Sequence, residues 1–245
     1  MNKQQVFQHY CDMLDDMREE SLVFQNFLIH PVGEIEHLEF RWSTVECGAT
    51  RAAVIDSGYP YIVKFDIETD MRGDSSSERE VEIYKEAKLC GLDGCFTEAE
   101  YLGDYCRTIY SYNLGDELYE MDDDEYMMLV EKEGLVKEEY VITIPLYGYA
   151  RATCDISINT NYTPEQYTEV EHANSPLASR NWKIALKFLI DYGTDIFERL
   201  TDFCLTFNIN DLHGGNIGYI NDKIVLIDFG SYYSEEDLDP SDNNN

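Results

Sequence analysis

Positive charge is scarce in this chain: 18 lysines and arginines stand against 49 aspartates and glutamates, a net charge of −31. Without a cationic surplus to displace counterions, direct binding to nucleic acid or to an anionic membrane is not expected. Three readings of the acidity stay open: a solvated surface that maintains solubility, attraction to a basic partner or substrate, and mimicry of nucleic-acid charge. Long apolar runs are missing too. No stretch approaches the about 18 residues of a membrane span, and MNKQQVFQHYCDMLDDM does not resemble a signal peptide. A cytoplasmic protein is expected, in a bacterial cell or an infected host. The seven cysteines include no CxxC pair, and Cys90 and Cys95 lack a second pair of ligands, which argues against a structural zinc site or a disulfide framework and for reduced thiols. GxSxG, HExxH and Walker A motifs are absent, so serine-hydrolase, zincin and P-loop chemistry have no foothold.

What is present suffices for a core. The chain is 44% hydrophobic and carries 19 tyrosines, whose rings can be buried while their hydroxyls find partners. Its 245 residues suit one large domain or two small lobes sharing a cleft. Residues 4–18 have helical apolar spacing, whereas 24–65 read as strands, with a turn at Ser57-Gly58-Tyr59-Pro60 before YIVKF. Ser75-Ser76-Ser77 with Glu78 marks a helix start that continues to Gly91. Strand signals return at Tyr101–Tyr112 and 140–150, separated by an acidic insertion near 113–131 expected as an exposed helix or loop. A polar stretch, 151–179, precedes one long helix expected from Asn181 to Phe207, then a loop and hairpin. The divisions expected are 1–23 as an N-terminal helix, 24–145 as a β-rich lobe, 146–233 as a smaller helical lobe and 234–245 as a disordered acidic tail.

The chemistry concentrates between Asn210 and Gly230. Phosphoryl transfer from ATP needs a carboxylate to orient and deprotonate the acceptor hydroxyl, and oxygen ligands for the magnesium that holds the triphosphate. Asp211 can supply the first. Asn216, five residues on, and Asp228, at the end of an apolar strand, can supply the second. The turn-like GYIND between them would fold Asp228 back beside Asn216. His213 could orient this loop or contact phosphate, with packing beneath the loop the expected role. His9, His30, His37 and His172 have no carboxylate or cysteine at metal-ligand spacing and read as incidental.

Asp211-Leu-His-Gly-Gly-Asn216 followed by Asp228-Phe-Gly230 resembles the catalytic and metal-binding loops of the protein-kinase-like superfamily. The D-L-H-x-G-N form more closely resembles the aminoglycoside and choline phosphotransferase branch and small bacterial or phage kinase-like proteins. The resemblance implies an α+β, bilobal fold: an antiparallel-sheet N-lobe and a reduced, mainly helical C-lobe. It implies that Lys64, on a strand, pairs the α- and β-phosphates and is fixed by Glu80 on the next helix. Glu82 is the rival, but its neighbours Lys85 and Glu86 suggest a solvated face. Gly48, within Cys47–Val54, would cover the phosphates, and Ile144–Tyr149, with Pro145 and Tyr147, would form a hinge whose backbone holds an adenine edge.

Three departures stand out. Ile209 replaces the histidine that relatives carry two residues before the catalytic aspartate. The phosphate loop has one glycine rather than three. Only 15 residues follow Gly230, so the C-lobe is expected to be truncated. The function expected is an ATP- and magnesium-dependent Ser/Thr protein kinase, possible substrates including itself, of phage or bacterial origin. The alternatives are a catalytically silent kinase-like module, or acidic nucleic-acid mimic, that binds and inhibits a basic host protein, and an enzyme that moves AMP onto protein.

Overall fold

A computed structural model describes residues 1–29, 37–48, 50–67, 75–112, 123–153, 163–172, 177, 181–210 and 212–230. The expected acidic tail, His30, most of 151–179 and the first ten residues of the acidic insertion (113–122) lie outside them. The architecture is α+β, with a six-stranded antiparallel sheet and a separate two-stranded hairpin. Among the described residues no helix is long and apolar enough to cross a membrane. The chain divides into two units, Met1–Glu78 with Ala99–Ala150, and Arg79–Glu98 with Arg151–Asn245.

In the first unit, α1 (Lys3–Glu20) starts at Asn2, whose side chain accepts the Gln5 N–H, and buries Val6, Tyr10, Leu14 and Met17 along one stripe. Strand was expected from Phe24, but α2 (Leu22–Ile29) forms there. Val23, Phe24, Phe27 and Leu28 are all buried at helical spacing, and the Ser21 hydroxyl accepts the Phe24 N–H at 3.2 Å. A short apolar run does not by itself distinguish helix from strand.

The sheet contains β1 (His37–Glu39), β2 (Ser43–Cys47), β3 (Arg51–Asp56), β4 (Tyr61–Asp66), β5 (Ala99–Tyr112) and β6 (Lys137–Ala150), in the order β1-β2-β3-β4-β6-β5. Alternation gives it two different faces. Val45, Ala52, Val54, Val63, Phe65, Leu102, Tyr105 and Leu146 share one core with α1 and α2. Residues 1–23 therefore pack with the sheet. Polar ties reinforce this layer: the Tyr10 hydroxyl donates to the Tyr61 carbonyl at 2.6 Å, and Arg107 Nη2 lies 2.7 Å from Asp15 Oδ2. Burial alone would raise the Asp15 carboxyl, but hydrogen bonds from Arg107, Arg18 and Tyr105 outweigh it and hold it below the ordinary value.

The described part of the acidic insertion is α4 (Asp123–Glu133). Expected to be exposed, it buries Tyr126 and Val130 beside Leu22, Tyr112 and Leu135. Asp123 Oδ1 accepts the Val23 N–H at 3.1 Å, capping α2 from a hundred residues away, and Asn26 Nδ2 donates to the Tyr126 hydroxyl at 2.6 Å. Two of the histidines read as incidental have carboxylate neighbours: His9 Nε2 lies 3.0 Å from Asp56 Oδ2, and His37 Nδ1 lies 2.8 Å from Glu46 Oε1. Their partners come from tertiary pairing, to which sequence spacing is blind.

The next helix, α3 (Ser76–Leu89), starts in the first unit and continues into the second. The Ser75 hydroxyl accepts the Glu78 N–H at 2.9 Å, while the Asp66 carboxylate accepts from the Ser77 hydroxyl at 2.9 Å. The second unit adds α5 (Pro164–His172), α6 (Trp182–Tyr192), α7 (Thr194–Thr206), and the hairpin β7 (Ile217–Ile220) and β8 (Lys223–Leu226). The single helix expected from Asn181 to Phe207 is two. Gly193, with φ +79° and ψ 168°, takes a conformation open essentially to glycine alone, ending α6 and starting α7.

Candidate active site

The hairpin determines where the metal-ligand candidates fall. Asn221 and Asp222, with φ of 51° and 63°, make the two-residue turn that matches strand twist. Pairing then runs Ile217 to Leu226, Gly218 to Val225 and Tyr219 to Ile224. One step beyond the ladder, the Asn216 carbonyl accepts the Ile227 N–H at 3.0 Å. Asn216 therefore lies across from the residue adjoining Asp228, as the sequence expectation required. Asn216 is buried and Asp228 half-buried.

The loop before it is braced locally. His213 is exposed rather than packed underneath; its Nδ1 accepts the Gly215 N–H at 3.0 Å, starting the tight turn Gly214–Asn216. A neutral His213 making this bond carries its proton on Nε2. Ile209, where a histidine was expected, is buried, and its N–H donates to the Cys204 carbonyl at 2.8 Å. Asp211 lies outside the described residues; its neighbour Leu212 is buried.

Glu80 is fully buried on α3, and Glu82 is exposed, so the helix distinguishes the two as their neighbours suggested. Glu80 Oε1 accepts the N–H groups of Phe229 at 2.8 Å and Gly230 at 3.3 Å. Charge-assisted bonds of this kind are stronger than neutral ones, and here they clamp the backbone immediately after Asp228. The Phe229 ring packs edge-on against Phe96 at 5.0 Å, and Phe96 against Phe203 at 5.5 Å. Phe96 bridges to Leu226, whose carbonyl accepts the Thr97 N–H at 2.8 Å. Asp228 thus follows a strand tied on both sides and precedes an anchored phenylalanine. Sequence reading missed this aromatic column, because Phe96 and Phe203 are recognisable as its members only once α3, α7 and β8 are packed.

In the first unit, Lys64 lies between Val63 and Phe65, which both face the helices, so alternation puts it on the opposite face. The registers align Glu46, Ala53, Lys64, Tyr147 and Tyr101 in one row across five strands. Lys64 is buried, its ammonium 4.5 Å from the centroid of the Tyr149 ring. Tyr149 was not singled out from sequence, since its place beside Lys64 depends on the β4–β6 register. Gly48 opens the turn joining β2 to β3, its N–H donating to the Arg51 carbonyl at 2.8 Å; Ala49 is outside the described residues.

The segment expected as an extended hinge, 144–149, lies within β6. Tyr147 is paired with Lys64 on one side and Tyr101 on the other, and Pro145 with Asp104. Tyr147 thus sits inside the ladders, and its side chain is buried beside the Tyr101 ring, 5.6 Å away. Burial pushes that phenol up, against a smaller opposite pull from the Ser75 hydroxyl. The strand ends at Ala150, where the second unit begins. There Thr153 exchanges backbone hydrogen bonds with Tyr219 at 3.0 and 2.9 Å. Gly218 permits this approach, because a Cβ on it would lie 2.7 Å from that of Ala152.

Asn216 and Asp228 offer one amide and one carboxylate, hard oxygen donors suited to magnesium. Among the described residues no three His, Cys, Asp or Glu side chains cluster as a metal site. A magnesium ion that shares its coordination with phosphates and water needs no such cluster. No protein-family model matches the chain, and no curated protein matches it.

Proposed function

We propose that the chain is an ATP- and magnesium-dependent phosphotransferase with a bilobal, protein-kinase-like fold, acting on serine or threonine hydroxyls of proteins. The observation that carries this reading is the hairpin register that brings Asn216 opposite Ile227, adjoining Asp228. The Glu80 carboxylate on the Phe229 and Gly230 amides supports it by restraining the same turn. In this reading Asn216 and Asp228 hold magnesium, which offsets phosphate charge when bound. Lys64 neutralises the α- and β-phosphates, and Gly48 belongs to the turn that covers them. Asp211 orients the acceptor hydroxyl and takes its proton as the new oxygen–phosphorus bond forms and the bond to the ADP oxygen breaks. Pro145 and Tyr147 belong to the segment, 144–149, that holds the adenine edge.

Thermal unfolding with ATP, with and without magnesium, tests the site apart from its acceptor. At a hundredfold excess over Kd the expected stabilisation is about 2.7 kcal/mol, a rise in Tm of roughly 5–10 °C. It should require magnesium and disappear in Asp228→Ala. Incubation with γ-labelled ATP and a mixture of proteins should then label protein in the wild type and not in Asp211→Asn. Label from α-phosphate-labelled ATP instead would identify AMP transfer. Nucleotide binding without either label would identify a silent module, and no magnesium-dependent shift would end the nucleotide reading.

A further inference from the structure

Asn26 on α2 and Ser111 on β5 are polar side chains in a buried part of the first unit, each 2% exposed. Among the described residues, neither Asn26 Oδ1 nor Ser111 Oγ has a hydrogen-bond partner. Burying an amide oxygen or a hydroxyl unpaired is costly, and such groups are nearly always satisfied by protein or by ordered water. The bonds around them lead to one seam. Gln25, beside Asn26, donates its side-chain amide to the Tyr110 carbonyl. Asn26 Nδ2 donates to the Tyr126 hydroxyl at 2.6 Å, and that hydroxyl donates to the Tyr112 carbonyl at 3.4 Å. These two carbonyls flank Ser111, and alternation along β5 turns its side chain to the face of Ile109, which lies in the core shared with α1 and α2. The seam therefore runs between α2, β5 and α4, where Leu22 and Tyr112 pack around Tyr126 and Val130.

The groups to be satisfied are an oxygen that can only accept and a hydroxyl that can donate or accept. Water matches both, donating one O–H to Asn26 Oδ1 and accepting the Ser111 O–H. Its second O–H finds an acceptor on either side of Ser111, because a carbonyl has two lone pairs and those of Tyr110 and Tyr112 each take one bond here. Three bonds are about the usual complement of a buried water. A metal ion fits less well. The carboxylate held against α2, Asp123, is taken by the Val23 N–H and the Ser21 hydroxyl, and Glu138, opposite Ser111, is exposed. We propose that Asn26 and Ser111 bind one internal water, which bridges α2 to β5 beside α4. The site belongs wholly to the first unit and does not depend on nucleotide binding.

Crystals of the full chain, at a resolution that shows ordered water, should contain a density peak about 2.7–3.2 Å from both Asn26 Oδ1 and Ser111 Oγ. In solution, oxygen-17 relaxation dispersion counts the waters held longer than the protein tumbles. Ser111→Val removes one partner and fills the space with a side chain suited to a strand, so the count should fall by one. Thr108→Val, at an exposed position on the same strand, should leave it unchanged. The wild-type crystal structure decides the matter by itself should Ser111→Val fail to fold. No peak, or a peak bonded to only one of the two atoms, overturns the proposal. So does an Asn26 amide rotated to donate directly to Ser111, or a peak with contacts of about 2.4 Å, which marks a metal ion. An unchanged count in folded Ser111→Val, or an equal loss in Thr108→Val, overturns it too.

Discussion

Asp15 in the first unit and Glu80 in the second are carboxylates held in contrasting ways. Asp15 is about a quarter exposed and receives Arg107, Arg18 and the Tyr105 hydroxyl, joining α1 to β5 through side chains. Glu80 is fully buried and receives main-chain N–H groups, joining α3 to the residues after Asp228. The first arrangement reinforces a layer already secured by apolar packing. The second positions a backbone turn, for which a missing acceptor leaves buried donors unsatisfied. The contrast locates the greater sensitivity to a single side chain in the second unit.

The sharpest way to break that contrast is Glu80→Ala, expected to cost about 2–4 kcal/mol in urea unfolding. Glu80→Gln retains an acceptor oxygen and should recover about half of the loss. Equal losses in the two variants would show that the amide contacts are not its source. Next comes Gly218→Ala, where the added methyl meets Ala152; about 2 kcal/mol is expected from overpacking. Its counterpart in the first unit is Gly134→Ala, where φ is +66° but nothing lies within 4 Å of the added Cβ. Only the left-handed backbone is penalised there, by about 1 kcal/mol. Reversal of that order in thermal denaturation would contradict the close approach of Ala152 to Gly218.

The smallest effect belongs to Asp15→Asn, about 0.5–1 kcal/mol at neutral pH, because the pair is partly solvated. Its pH dependence is more informative than its size. The folded pKa of Asp15 is depressed, so its stabilisation is complete above the unfolded value, near 4. It is lost as pH falls through the folded value. The Tm difference between wild type and Asp15→Asn should therefore be constant from pH 7 to about pH 5 and shrink in more acidic solution. A difference that persists unchanged at pH 2 would assign the effect to packing.

Several elements were legible because neighbours in sequence determine them. Ser75 and Glu78 announced the start of α3, and the GYIND segment announced the β7–β8 turn with the consequence for Asn216 and Asp228. The burial of Glu80 and the exposure of Glu82 followed from which neighbours are apolar. Where the reading failed, the local signal was ambiguous or overridden. Leu22–Ile29 is too short for its apolar run to declare a helix, and Gly193 lies in an amphipathic pattern that continues through it. The Asp56 partner of His9 comes from pairing across the fold.

The sequence by itself determined the acidic character, the order of strand and helix signals, and the spacing that lets a hairpin return Asp228 to Asn216. These depend on composition, periodicity and turn chemistry, which act over a few residues. Only tertiary structure decided that Glu80 holds the Phe229 and Gly230 amides, that Tyr149 lies beside Lys64, and that α4 is anchored through Tyr126. Such contacts arise when distant segments are brought into one register and one packed core, and no local pattern specifies that outcome.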